Sequence, residues 1–160
     1  CAERVVGDDP FAVLLADDLL VADAGKGMTA DLVRAHLKSG KSQLAVMEVN
    51  DPTISNYGVV EVGNDSKSVV GLVEKPSFEK APSNLASIGR YVLNPEVFNI
   101  LRNQLPGSGG EIQLADAIHT IATLDRVEKV SLTGLRFDCG SMEGYVKGFS
   151  YVASQKVNLN

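Results

Sequence analysis

Apolar residues in this chain fall into short continuous runs broken by polar turns, with helical spacing between some of them. FAVLLA (11–16) is an unbroken apolar run between Pro10 and Asp17, and it predicts a strand buried on both faces. In TADLVRAHLKS (29–39), Leu32, Val33, Ala35 and Leu37 recur at helical spacing, with Thr29 as a candidate cap and Gly40 as a stop. SQLAVMEV (42–49) predicts a second buried strand. Strand, helix and strand in that order predict a right-handed crossover within an α/β sheet.

Asn50, Asp51 and Pro52 interrupt the pattern. GVVEV (58–62), the turn GNDS (63–66) and SVVGLVEK (68–75) predict a hairpin, and LASIGRYVL (85–93) another strand. Asn94 is placed to cap a helix that starts at Pro95. PGSGG (106–110) connects to a helical pattern over 111–124, in which Ile112, Ala115, Ile118 and Ala122 share a period. A strand at 127–132 and a final helix at 141–155, weakened by Gly144 and Gly148, complete the series. The expected fold is a Rossmann-like α/β arrangement: a mixed sheet with an antiparallel hairpin excursion. In such sheets ligands bind beyond the carboxyl ends of the strands.

Composition narrows the function classes. The 160 residues favour one domain, and 44% apolar against 22% charged is ordinary globular composition. The net charge of −5, with scattered basic residues, gives no footprint for nucleic acid or an anionic membrane. No apolar run approaches the roughly 20 residues that span a bilayer. Cys1 and Cys139 lack metal-ligand spacing and suit a reducing cytoplasm, with Cys139 read as packing. The absence of an initiating methionine, and the immediate entry into VVGDDPFAVLLADD, lead us to expect a fragment of a longer protein.

Four clusters at strand ends could carry chemistry. Asp17 and Asp18 follow the first buried strand; adjacent residues on an extended chain point oppositely, so the two acids are not expected to share one task. One could hold a hard cation such as Mg²⁺ beside substrate phosphates, or the pair could form a solvated turn. Gly58, entering a strand, marks a close approach by a ligand or a bulge. Glu74 and Lys75, if both extended, project to different sides, the acid suited to sugar hydroxyls and the ammonium to phosphate. Pro76 is expected to hold Lys75 extended; the alternative is a surface acid and base beside a turn. Asp138 could complete a metal site with Asp17 or cap the following turn. His36 and His119 fall on predicted helices and read as packing or solvated residues. GSGG before a helix could cradle an anion, but it lacks the full fingerprint and reads as a linker.

In order, FAVLLADDLL, YGVVEV, VGLVEKP, APSNLASIGRYVL, GSGGEIQLADAI and DCGSMEGYVKG closely resemble the bacterial UTP–glucose-1-phosphate uridylyltransferases, nearly end to end. The EKP triplet is shared by many sugar nucleotidyltransferases; PSNLASIGRYVL with GEIQLADAI points to the glucose and uridine branch. The resemblance implies transfer of a uridylyl group from UTP to glucose 1-phosphate, giving UDP-glucose and diphosphate. It implies Asp17 and Asp138 as Mg²⁺ ligands and, with Lys75, as the catalytic set. Glu74 is implied as acceptor from the glucose hydroxyls, Lys75 as the contact to the sugar phosphate, and Gly58 as a backbone contact to the sugar. It further implies a cytoplasmic homo-oligomer. The family's glycine-rich nucleotide loop, G-x-G-T-R followed by P-K-x-x-x-P, has no counterpart in these residues. Residues 1–160 are therefore expected to form the C-terminal portion of one nucleotidyltransferase domain, incomplete at its N-terminus. Alternatives are a non-catalytic sugar-phosphate-binding or assembly fragment, and a related enzyme with a different base or sugar.

Overall fold

One long strand organises the computed structural model, which describes residues 2–22, 27–107 and 110–157. In chain order the elements are α1 (Glu3–Val6), β1 (Phe11–Leu14), β2 (Asp18–Ala22), α2 (Met28–Ser39), β3 (Ser42–Glu48), β4 (Gly58–Val62), β5 (Val69–Glu74), β6 (Leu85–Leu93), α3 (Glu96–Asn103), α4 (Leu114–Ala122), β7 (Val127–Ser131), β8 (Gly134–Asp138) and α5 (Met142–Val157). The main sheet runs β5-β4-β6-β3-β7, with β1 also paired to β6. β6 is antiparallel to β1, β3 and β4, whereas β3 and β7 are parallel. β1 and β3 thus run the same way on either side of β6, joined through α2. The predicted strand–helix–strand unit is present with a strand inserted into it.

Side-chain alternation explains the layers. On β3, Leu44 and Val46 join the cluster under α3 and α4, while Ala45 joins Met28 and Leu32 of α2 on the opposite face. This strand is buried on both sides, as its apolar run predicts. β1 is not: Phe11 and Val13 pack toward α3, with Phe11 stacked on Phe98 at 5.0 Å, while Leu14 is exposed. Only one face of β1 is covered among the described residues, so its run of apolar residues overstated its burial.

Helix ends follow local chemistry in part. Gly40 stops α2 in the left-handed conformation, its N–H donating to His36 O. Asn94 does not cap α3 with its side chain, which donates instead to Gly40 O. Thr29 lies inside α2 rather than at its cap. In the hairpin turn, Asp65 accepts from the Lys67 and Ser68 N–H groups and the Ser68 hydroxyl, and these bonds hold its carboxyl down at about 2. Residues 108–109 of the expected glycine-rich connection lie outside the described residues.

Three elements escaped the sequence pattern: α1, β2 and β8. β2 and β8 form a separate antiparallel ribbon, with Asp18 opposite Asp138. α5 packs on this ribbon through its glycines. A Cβ on Gly144 would lie 1.8 Å from Asp138 O, and one on Gly148 3.1 Å from both Leu19 Cδ2 and Phe137 Cβ. The helix-weakening residues are therefore what allow the close approach. Helix propensity alone makes Gly144→Ala stabilising by about 1 kcal/mol. Overpacking against backbone reverses the sign, with an expected loss of about 1–3 kcal/mol. Urea unfolding checks this, and a raised midpoint would show that α5 does not pack as described.

Candidate active site

The β4–β5 register sets Gly58 directly opposite Glu74. A Cβ on Gly58 would meet Glu74 Oε2 at 3.1 Å and Leu72 Cδ1 at 3.4 Å, so glycine leaves room for the carboxylate to lie across the neighbouring strand. β5 ends at Glu74. Lys75 then adopts φ 45°, not the extended conformation expected before proline. Proline disfavours the right-handed helical region for its predecessor, and the left-handed well is what the turn uses, at a cost of roughly 1–2 kcal/mol. The Lys75 N–H donates to Tyr57 O at 3.0 Å, and Pro76 is buried, which together hold the turn. As a result Glu74 and Lys75 do not diverge: Lys75 Nζ lies 4.0 Å from Glu74 Oε1. Both remain open to solvent, so their mutual attraction is weak and leaves them available to a ligand.

Both side chains line a cleft of about 360 Å³, together with Leu15, Gly58, Ser87 and Tyr91. That volume falls within the roughly 300–1,000 Å³ of small-molecule sites. Burial pushes the Tyr91 phenol above its ordinary value. A second cleft shares Glu74 and Lys75 with the first and is also lined by Asp116 and His119. His119, remote in sequence from the strand-end clusters, accepts from the Leu72 N–H through Nδ1 at 3.1 Å and ties α4 to β5. His36 is placed as a packing residue, its Nδ1 2.9 Å from Lys41 O.

Asp18 and Asp138 sit on the ribbon and Asp17 just before it, and none of the three lines the cleft that holds Gly58, Glu74 and Lys75. Asp17 is exposed and Asp18 is buried, so the adjacent acids do have different surroundings. Asp18 Oδ2 accepts from the Gly89 N–H at 2.7 Å, and Oδ1 lies 2.6 Å from Arg136 Nη2. Arg136 also donates to the Tyr57 hydroxyl at 3.0 Å and lies 3.9 Å from Asp138 Oδ2. Burial works against its charge, but Asp18 and Tyr57 outweigh it and raise the guanidinium above its ordinary value. Arg136, Tyr57 and Tyr91 were not among the expected site residues; Tyr57, next to Gly58, and Arg136, two residues before Asp138, carried a positional hint.

Asp17 and Asp138 come together around Gly140. A Cβ there would stand 3.1 Å from Asp17 Oδ2 and 3.2 Å from Asp138 Oδ1. Glycine thus preserves a gap between two accessible carboxylates. Such a donor set fits Mg²⁺, which takes one or two carboxylates and completes its shell with water and substrate phosphate. Among the described residues no group of three or more acidic, histidine or cysteine side chains gathers into a metal cage. Cys139, next to Asp138 in the chain, is a free thiol whose Sγ lies 3.7 Å from Phe137 O.

The family described as nucleotidyl transferase matches residues 1–155. A UTP–glucose-1-phosphate uridylyltransferase of Pseudomonas aeruginosa is 43% identical over 150 residues, covering 92% of this chain and 54% of the relative. A UTP–glucose-1-phosphate uridylyltransferase 1 of Streptococcus pyogenes serotype M3 is 44% identical over 154 residues, covering 91% and 50%. A solved UDP-glucose pyrophosphorylase complexed with UDP-glucose superposes with a TM-score of 0.90 at 38% identity, covering 96% of this chain and 60% of its own. The chain spans about half the length of the curated relatives it matches.

The ribbon's seat on β6 depends on Gly89, where a Cβ would stand 2.5 Å from Asp18 Oδ2 and 2.8 Å from Leu15 Cβ. Gly89→Ala is expected to cost about 1–3 kcal/mol through overpacking. Denaturant unfolding measures it, and an unchanged midpoint would mean that Asp18 is not held there.

Proposed function

Because the chain belongs to the nucleotidyl transferase family, we propose that it carries the sugar-phosphate and metal side of a UTP–glucose-1-phosphate uridylyltransferase site. The observation that carries this reading is the convergence of Gly58, Glu74 and Lys75 on one cleft, linked through Tyr57 and Arg136 to the acids of the ribbon. In the proposed reaction an oxygen of glucose 1-phosphate attacks the α-phosphorus of UTP. The bond from that phosphorus to the oxygen bridging the β-phosphate breaks, and diphosphate leaves with the electron pair. The attacking phosphate is already ionised near neutral pH, so no general base is required. The barrier lies in bringing two polyanions into line.

Each residue addresses that barrier. Glu74 accepts hydrogen bonds from sugar hydroxyls and sets the ring's orientation. Gly58 exposes backbone to the sugar, and Lys75 sets its positive charge against the sugar phosphate. Asp17 and Asp138 are the residues that would hold Mg²⁺, which supplies charge neutralisation for the phosphates when bound. Orientation of bound reactants can contribute about 7–11 kcal/mol, more than any single hydrogen bond, so the fixed register of Gly58 against Glu74 matters more than the strength of either contact. The reading also includes a cytoplasmic homo-oligomer; among the described residues no helix is long and apolar enough to cross a membrane.

The complete protein containing this chain is expected to form UDP-glucose from UTP and glucose 1-phosphate. Lys75→Ala should raise the KM for glucose 1-phosphate by roughly tenfold or more, as expected for a lost charge-assisted contact, with little change for UTP. Initial-rate kinetics separate the two, and equal losses for both substrates would remove Lys75 from this role. Asp138→Ala should raise the Mg²⁺ concentration needed for half-maximal rate, and an unchanged metal titration would take Asp138 out of the metal site.

A further inference from the structure

We infer that Arg136 is a positioning residue that couples the acidic ribbon to the sugar-phosphate turn, acting through Tyr57 on Lys75. The inference rests on the reading that Lys75 meets the sugar phosphate. Arg136 stands on β8 with only 12% of its side chain exposed. It reaches three places at once: Asp18 at the start of β2, Asp138 at the end of its own strand, and the Tyr57 hydroxyl just before β4. Its guanidinium carbon also lies 5.1 Å from the centre of the Tyr57 ring, within cation–π range. Tyr57 is held by its main chain as well. Its N–H donates to Ile54 O at 3.0 Å, and its carbonyl accepts from the Lys75 N–H at 3.0 Å.

The elements joined in this way belong to different sheets. β2 and β8 form their own ribbon, while β4 and β5 belong to the main sheet. No strand ladder joins β8 to the Tyr57 turn, and the Arg136 side chain makes that tie, apart from the seat of Asp18 on the Gly89 N–H. Arginine suits the task because its planar fork can donate toward a carboxylate and a phenol in fixed relative directions, which a lysine ammonium cannot reproduce. A buried ion pair contributes little net stability over an apolar replacement, so geometry is the more direct use of this contact. Lys75 supplies the reason that geometry matters here. Its left-handed backbone is unfavourable for a residue with a side chain, and the Tyr57 carbonyl is the hydrogen-bond partner that holds its N–H. When Tyr57 shifts, Lys75 is free to relax and its ammonium leaves the cleft that Glu74 shares.

The test uses the complete protein containing this chain, with Tyr57→Phe, Arg136→Lys and the double variant. Tyr57→Phe removes the hydroxyl and keeps the ring, and Arg136→Lys keeps the charge and loses the fork. Each single variant should raise the KM for glucose 1-phosphate roughly 5- to 20-fold, between an ordinary hydrogen bond and the low end of a charge-assisted one, with the KM for UTP within about twofold. Calorimetric titration with glucose 1-phosphate should show the same weakening without turnover. The double variant should be no worse than the weaker single, because both changes break one contact. Circular dichroism and melting confirm that each variant is folded; if Arg136→Lys fails to fold, Tyr57→Phe alone decides. Unchanged glucose 1-phosphate binding, an equal rise in both KM values, or additive losses in the double variant each overturn the coupling. A wild-type protein that neither binds glucose 1-phosphate nor makes UDP-glucose overturns the underlying reading as well, which separates the two failures.

Discussion

The pairing of Asp18 with Arg136 is the contact on which the arrangement of this molecule depends. Asp18 is 6% exposed and faces Asp138 directly across the ribbon, where like charges would repel. Arg136 answers the buried charge and leaves Asp138 largely open to solvent. Removing one partner from such a pair typically costs about 3–5 kcal/mol, because the other charge is left buried and uncompensated. A two-stranded ribbon is marginal by itself. This one is seated by Asp18 on the Gly89 N–H, by Arg90 reaching Leu15 O and Asp18 O, and by α5 lying against β8. The position of Asp17 and Asp138 is inherited from that seat.

Close approach is a recurring device around the site. Gly58 makes space for the Glu74 carboxylate, and Gly140 keeps Asp17 and Asp138 apart from a side chain that would fill their gap. Gly89 and Gly144 let one element press against another. At Gly89 and Gly144 a methyl group would collide with a carboxylate oxygen or with main chain, and at Gly58 and Gly140 it would crowd a carboxylate, so the acids are placed in part by what the neighbouring backbone lacks. This kind of positioning suits a reaction in which charged groups must be placed rather than activated. The lysine turn follows the same logic by other means, with an unfavourable backbone angle maintained by a hydrogen bond and a buried proline.

Much of the architecture was legible in the pattern of the chain. The buried alternation of β3, the Gly40 stop of α2, the hairpin around Asp65 and the helical period of α4 all reflect local chemistry, and all are present. The ordered strand-end motifs pointed to the family that the whole chain matches. The readings that failed share a cause. β2 and β8 are short, mixed in polarity and stable only against each other, so neither carries a local signature. Whether one or both faces of β1 are covered is a property of what packs on it. The Lys75 backbone angle depends on Tyr57, eighteen positions away.

By itself the amino-acid order determined most of the main sheet's strands and the longer helices, and which residue types stood at strand ends, because hydrophobic period and turn chemistry act within a few residues. Only the tertiary structure decided that Glu74 and Lys75 turn to one cleft, that Asp17 and Asp138 close on Gly140, and that Arg136 ties Asp18 and Asp138 to Tyr57. Those relations span separate sheets, and they are set by strand register and close packing between segments distant along the chain.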